Sequence, residues 1–194
     1  MIAFLKGRLV QKEPTFVIID VNGVGYQVNI SLNTFSEIKD REEVRLATYL
    51  QVREDAHVLY GFSNEAEKAM FQNLLSVNGV GPGTAMVVLS YLPPTELKSA
   101  IIREDASALQ AVKGIGGKTA QRIILELKDK LRKEPEESNI PGFSHNTMRR
   151  EALSALVTLG IGRPAAERSV DAVLKKSGNT LSLEELVKQA LKNA

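Results

Sequence analysis

Cysteine and tryptophan are both absent from this 194-residue chain, and histidine occurs only twice. Without cysteine there is no disulfide framework and no thiolate metal site, which fits a cytoplasmic protein. His57 and His145 stand far apart in sequence, with no metal-ligand spacing. Aromatic residues make up 5% of the chain, so few rings are available to stack on a ligand. No apolar run approaches the ~20 residues of a membrane helix. The first residues, Met1-Ile2-Ala3-Phe4-Leu5-Lys6-Gly7, lack the layout of a signal peptide. No serine sits in a recognisable nucleophile setting, and the carboxylates are scattered rather than gathered into a Mg²⁺-binding cluster of the nuclease kind. The sequence therefore predicts no catalytic residue, no metal and no cofactor.

What is present is a soluble globular composition, 43% hydrophobic and 25% charged, and a length suited to one or two domains with a small third. The formal net charge is only +2, but it is unevenly spread. Residues 1–62 hold 7 basic and 8 acidic residues, residues 63–133 hold 10 and 7, and residues 134–194 hold 8 and 8. The basic surplus lies wholly in the central segment, which suits local contact with phosphates better than a broad electrostatic footprint.

That segment contains a repeat. Gly79-Val80-Gly81-Pro82-Gly83-Thr84 returns thirty-five positions later as Gly114-Ile115-Gly116-Gly117-Lys118-Thr119. An apolar helical run precedes each copy and an alanine-led apolar run follows it. The pattern resembles the helix-hairpin-helix motif of DNA-binding proteins. Glycines allow a tight turn at φ values that other residues resist. Bare backbone N–H groups can then touch a phosphate, helped by the free N–H groups and positive dipole end of the following helix. Lys113, Lys118 and Arg122 add positive charge behind the second copy. Val80 and Ile115, between the glycines, are expected to pack back between the helices. The competing reading is a pair of ligand-free helix–helix turns; duplication at equivalent places favours DNA. Gly114–Thr119 also suggests a phosphate-binding P-loop, but that motif needs glycine where Val112 stands and a strand where the sequence reads helix.

The fold class expected is mixed and multidomain. Residues 1–62 read as five short strands, about Ile2–Val10, Thr15–Val21, Gly25–Ser31, Val44–Val52 and His57–Phe62, with a hairpin signal at Asn22-Gly23 and a helical turn over Thr34–Lys39. This favours a five-stranded β-barrel of the oligonucleotide-binding (OB) type. On the residues alone, the barrel either binds nucleic acid, offering Phe16, Tyr26, Tyr49 and Tyr60 as stacking faces, or serves as scaffold. Residues 63–133 read as an all-α tandem of hairpin motifs, opened by a capping box at Asn64 and Glu67. Residues 134–145, with two prolines and three acids, read as a flexible linker. Residues 146–194 read as a three-helix bundle. Its first helix carries Ala152, Leu153, Leu156 and Val157. The second runs from Pro164 to a stop at Gly178, and the third carries Leu186, Val187, Ala190 and Leu191. So small a bundle usually docks with something.

One further segment, Val52-Arg53-Glu54-Asp55-Ala56-His57-Val58-Leu59-Tyr60-Gly61-Phe62, completes a family resemblance. Barrel, paired hairpins, linker and three-helix tail together resemble the RuvA family of Holliday-junction-binding proteins, over the whole chain. The resemblance implies a flat homotetramer, one or two per junction, that binds Holliday junction DNA through the hairpins. Phosphate contacts would come from Gly79, Val80, Gly81, Gly83, Thr84, Lys113, Gly114, Ile115, Gly116, Gly117, Lys118, Thr119 and Arg122. Glu54 and Asp55, on the residues alone a solvated turn, would form an acidic pin near the four-fold axis. The tail would contact a hexameric ATPase of the RuvB type, through Leu156, Leu159 and Ile161, and a resolvase of the RuvC type could join them. The chain departs from the family pattern at Gly83 and Gly117, where a basic residue is common, and at Ile161, where an aromatic is common. A repair nuclease with a helix-hairpin-helix module and a single-strand-binding OB protein remain the alternative functions.

Overall fold

Period-two alternation decides the N-terminal architecture. In the computed structural model, which describes residues 1–133, 144–177 and 181–193, strands β1 (Phe4–Glu13), β2 (Phe16–Val21), β3 (Val24–Ile30), β4 (Glu43–Val52) and β5 (His57–Phe62) close into a barrel in the order β1-β2-β3-β5-β4. β3 and β5 run parallel and the other pairs antiparallel. A short helix, α1 (Leu32–Ile38), lies between β3 and β4. This is the expected OB-type barrel. Leu5, Leu9, Val17, Ile19, Val28, Ile30, Val44, Leu46 and Leu59 fill its interior, a set that strict alternation selects. Asn22 and Gly23 both take positive φ, 51° and 89°, as a two-residue hairpin between Val21 and Val24 requires. At Gly61 a Cβ would lie 2.5 Å from Val28 Cγ1, so the packed interior leaves room for glycine alone.

β1 runs three residues beyond the expected end at Val10. A register shift between Leu9 and Gln11 leaves Val10 without a cross-strand partner on β2 and turned outward. Beyond it Gln11-Lys12-Glu13 is held by backbone pairing with β2, and pairing of polar residues leaves no apolar alternation to read.

Helices α2 (Glu65–Leu75), α3 (Pro82–Tyr91), α4 (Pro94–Ile102), α5 (Ala106–Gln110) and α6 (Gly117–Lys133) follow. They share one core with Phe62 of the barrel, and residues Met1–Pro135 form a single compact unit. Two interactions make the join. Phe71 on α2 meets Tyr49, Tyr60 and Phe62 at ring-centroid distances of 5.5, 5.2 and 5.0 Å. Beside it, the buried Glu67 carboxylate accepts hydrogen bonds from the Ser31 hydroxyl, from Thr34 Oγ1 at 2.6 Å and from Ser63 Oγ at 3.5 Å. The capping box expected at Asn64 and Glu67 is thus half made. Asn64 Oδ1 accepts from the Glu67 N–H at 2.9 Å, but the Glu67 side chain turns inward to α1 instead of back to the cap. Three hydroxyl donors in a dry site outbid one exposed backbone N–H.

The second unit contains α7 (Ser144–Thr158), α8 (Arg163–Ser177) and α9 (Leu183–Lys192). Ala152, Leu156, Ala166, Val170, Val173, Leu186 and Ala190 form its core. α7 already includes Ser144 and His145; residues 134–143 of the expected linker, and the expected stop at Gly178, lie outside the described residues. Val157 and Leu191, expected on buried stripes, are exposed and lie outside the core that the three helices share. The Ser182–Glu185 capping box of α9 forms in both directions. Arg149 on α7 grips Asp171 on α8 with two parallel bonds, Nε to Oδ1 at 2.6 Å and Nη2 to Oδ2 at 2.9 Å.

Two predictions follow from these contacts. Glu67→Ala leaves the Ser31 and Thr34 hydroxyls buried without their acceptor, and is expected to destabilise the first unit by roughly 2–4 kcal/mol in urea unfolding. Hydrogen bonds from Arg149 hold the Asp171 carboxyl below its ordinary value of 3.8. A carboxyl depressed in the folded state adds stability above its unfolded value and loses it as pH falls through the lower, folded one. Amide exchange in α7 and α8 should therefore quicken as pH drops below about 4, after allowance for intrinsic exchange, and Asp171→Asn should flatten that dependence. Both side chains are about one-third to one-half exposed, so the effect is modest.

Candidate nucleic-acid interface

The two hairpins are built alike, bond for bond. After α2, the Val77 N–H donates to the Leu74 carbonyl at 3.1 Å, that of Val80 to Val77 at 3.1 Å, and that of Ala85 to Gly81 at 2.9 Å. After α5, Val112 donates to Leu109 at 3.2 Å, Ile115 to Val112 at 3.0 Å, and Ala120 to Gly116 at 2.9 Å. Gly79 and Gly114 hold φ at +87° and +92°, a conformation open to glycine and strained for other residues. Val80 and Ile115 are buried to the same degree, 5% exposed each. They plug the space between the helices, as the sequence predicts.

This geometry redistributes the expected phosphate donors. Val80 and Ile115 hold the turn: their side chains are buried and their N–H groups are already bonded within it. The free donors are the N–H groups of Gly81, Gly83 and Thr84 in the first hairpin, and of Gly116, Gly117, Lys118 and Thr119 in the second. None of these has a protein acceptor among the described residues, as helix first turns dictate. A Cβ at Gly81, Gly83, Gly114 or Gly116 would meet nothing within 4 Å, so each faces open space that a phosphate oxygen could enter. Lys113 and Lys118 are exposed and take part in no ion pair among the described residues. Arg122 behaves differently. Its Nη1 donates to the Asn78 carbonyl at 2.9 Å, so this side chain of the second repeat reaches the first. The segment before Gly114 is the helix α5 and not a strand, which disposes of the P-loop geometry.

Glu54 and Asp55 sit at the exposed tip of the β4–β5 hairpin, in a turn closed by the Arg53 N–H donating to the Ala56 carbonyl at 2.9 Å. Neither makes an ion pair or hydrogen bond among the described residues. The base of the same two strands carries Tyr49, Tyr60 and Phe62, packed on Phe71. The acidic tip and the first hairpin therefore belong to one rigid piece.

The stacking faces offered by the sequence are differently employed. Tyr49 and Tyr60 serve the join with α2, and burial there raises the Tyr60 phenol above its ordinary value. Tyr26 packs on the barrel core and Phe16 is half-buried. The exposed ring of Phe4 lies under the Arg45 guanidinium, 4.4 Å from its centroid. Among the described residues no three His, Asp or Glu side chains converge on a point that could hold a metal ion.

In the tail, Leu156 is fully buried and Ile161 packs against the core, whereas Leu159 is 62% exposed. Of the three residues expected at a partner contact, only Leu159 presents a large free surface. Leu159 and Ile161 belong to a third Gly-apolar-Gly stretch, Gly160-Ile161-Gly162 with Leu159 just before it. Gly160 has φ of +92°, Ile161 donates to the Leu156 carbonyl at 3.0 Å, and the Ala166 N–H donates to Gly162 at 3.0 Å. The signal was there: glycine, an apolar residue, glycine, then a buried alanine four residues on, as in the other two hairpins.

An OB-type barrel fused to a tandem pair of helix-hairpin-helix turns, with a separate helical unit behind them, defines a narrow class of architecture. Residues 1–61 match the family described as RuvA N terminal domain, residues 71–129 the SAM-like helix-hairpin-helix tandem, and residues 147–194 the RuvA C-terminal domain. The chain is 52% identical to the Holliday junction branch migration complex subunit RuvA of Cytophaga hutchinsonii over 197 residues, covering 99% of both chains. It is 49% identical to the protein of that name from Christiangramia forsetii, again over 99% of both, and 40% to that from Bacteroides fragilis over 99% of both. The chain belongs to the RuvA family.

The hairpin geometry separates two kinds of glycine. Gly114→Ala forces a Cβ into a left-handed backbone and is expected to cost about 1–2 kcal/mol. Gly83→Ala sits in the first turn of α3 with open space around it and should be neutral or stabilising by up to about 1 kcal/mol. Urea unfolding of the two variants against the parent reads the difference.

Proposed function

We propose that this chain binds four-way (Holliday) junction DNA as a homotetramer and holds it open for branch migration, driven by a hexameric ATPase of the RuvB type, in recombination and DNA repair. The observation that carries the reading is the pair of hairpins with one hydrogen-bond pattern, fixed to the strands that bear Glu54 and Asp55. Each hairpin offers backbone N–H groups to one stretch of phosphate backbone without reading bases, which suits a ligand defined by shape. In this reading residues 63–133 hold the arms, residues 1–62 bring the pin to the crossover, residues 134–145 tether the tail, and residues 146–194 engage the motor. The chain itself does no bond chemistry; ATP is hydrolysed by its partner.

The pin works by repulsion. Each carboxylate–phosphate pair costs only about 1 kcal/mol at ~4 Å in water, more where solvent is excluded. Two carboxylates per chain, repeated around a four-fold axis, add up. A continuous duplex crossing the face would run its phosphates past them, while an open junction passes its strands around them. The selectivity thus comes from disfavouring the wrong ligand.

Glu54→Gln with Asp55→Asn is therefore expected to leave junction binding intact or tighter and to strengthen linear-duplex binding more. Affinities of parent and double variant for both DNAs, at matched low salt, check this. An unchanged junction-to-duplex ratio would reduce the pair to a solvated turn. Barrel stability should hardly change, because both side chains are exposed and unpaired.

A further inference from the structure

The duplication of the hairpins is broken at their cations. Residues 76–84 of the first hairpin contain no lysine or arginine, whereas the second has Lys113, Lys118 and Arg122. Thirty-five positions before Lys118 stands Gly83, and thirty-five before Arg122 stands Val87, an exposed apolar residue. Taken alone, the first hairpin offers a phosphate N–H groups and the Thr84 hydroxyl but no cation.

The structure supplies what that stretch lacks. Arg122 leaves its own hairpin and donates from Nη1 to the carbonyl of Asn78, the residue before Gly79, at 2.9 Å. The same Nη1 stands 3.5 Å from where a Cβ on Gly79 would be. A guanidinium has five N–H donors in a planar fork, and the Asn78 carbonyl takes one. No carboxylate pairs with Arg122 among the described residues. Val87, in the corresponding place on α3, cannot return the contact, so the link runs in one direction.

We propose that Arg122 completes the phosphate site of the first hairpin. One edge of its guanidinium fixes the turn at Asn78, and the rest neutralises the phosphodiester that Gly81, Gly83 and Thr84 hold through their N–H groups. Two hairpins thereby share a cation set that one of them encodes. This rests on the proposed DNA-binding role, and adds that the two sites are coupled instead of independent.

The test uses the full chain and two DNAs, a four-way junction and a plain duplex, over a range of KCl concentrations. Arg122→Gln removes the charge and leaves a neutral amide, two bonds shorter, at that position. It is expected to make the dependence of log K on log[KCl] shallower by about one per chain bound, the signature of one lost phosphate contact. Hydrogen exchange across residues 78–81 should stay near that of the parent in Arg122→Lys, whose ammonium reaches nearly as far, and quicken in Arg122→Ala. Gly83→Lys, which has open space to enter, should restore the slope in the Arg122→Gln background and add little to the parent, a non-additive cycle. An unchanged slope in Arg122→Gln, or an equal gain from Gly83→Lys in both backgrounds, overturns the proposal. A parent that fails to prefer the junction over duplex sinks the junction-binding role instead, and leaves the duplex slopes and hydrogen exchange to decide the part played by Arg122.

Discussion

The placement of the first hairpin relative to the β4–β5 tip depends on how α2 is fastened to the barrel. A buried carboxylate is costly unless its lone pairs are taken, and Glu67 has three hydroxyls to take them, from Ser31, Thr34 and Ser63. Phe71 lies one turn further along the same helix face, inside a cage of Tyr49, Tyr60 and Phe62. The polar contact is directional and sets the rotation of α2; the aromatic contact is broad and sets its distance. Between them they fix the start of the first hairpin relative to β4 and β5, and so relative to Glu54 and Asp55. Repulsion at a pin discriminates between DNA shapes only if the pin stands at a set place relative to the groups that hold the arms.

The hairpins show how a duplicated backbone comes to do unequal work. Gly79 and Gly114, Val80 and Ile115, and Ala85 and Ala120 are interchangeable in conformation or burial. The solvent-facing positions are not: Gly83 against Lys118, Val87 against Arg122. Packing constrains the first set, since any change there opens a cavity or strains a turn. Apart from the bond of Arg122 to the Asn78 carbonyl, no packing holds the second set, so these positions are free to diverge. In the tail a glycine of positive φ recurs at Gly160, but there Ile161 donates five residues back, to Leu156, instead of three, and it stands between an exposed Leu159 and the bundle core.

The barrel and the helices were legible because each signal repeats: alternation in the strands, helical period in the longer helices, glycine pairs at one spacing. What escaped was the role of single residues whose partners are distant in sequence. Glu67 reads as a capping residue because Asn64 is three positions away, while Ser31 and Thr34 are 36 and 33 away. A hint was available: Glu67 shares a helix face with Met70, Phe71 and Leu74, and an acid on that stripe must find donors. Tyr49 and Tyr60 read equally well as stacking faces or as core, since alternation places them on the outer face of a barrel without saying what covers it. Arg122 reads as a cation of its own hairpin, because spacing along a helix cannot show a bond to residue 78. Leu156 and Leu159 are one turn apart, yet one is core and the other surface, a difference set by where α7 ends at Thr158.

The fastening of α2 also orders events during synthesis. Domains tend to fold as they emerge, N-terminal parts first. Here the barrel strands are complete at Phe62, but Ser31 and Thr34 have no acceptor and the aromatic patch of Tyr49, Tyr60 and Phe62 has no cover until α2 is made. For the interval in which residues 63–75 are still being added, a nascent barrel would display an apolar surface beside unsatisfied hydroxyls, the kind of face that attracts chaperones or wrong partners. The boundary between strands and helices in the sequence is therefore not a point at which folding can pause safely.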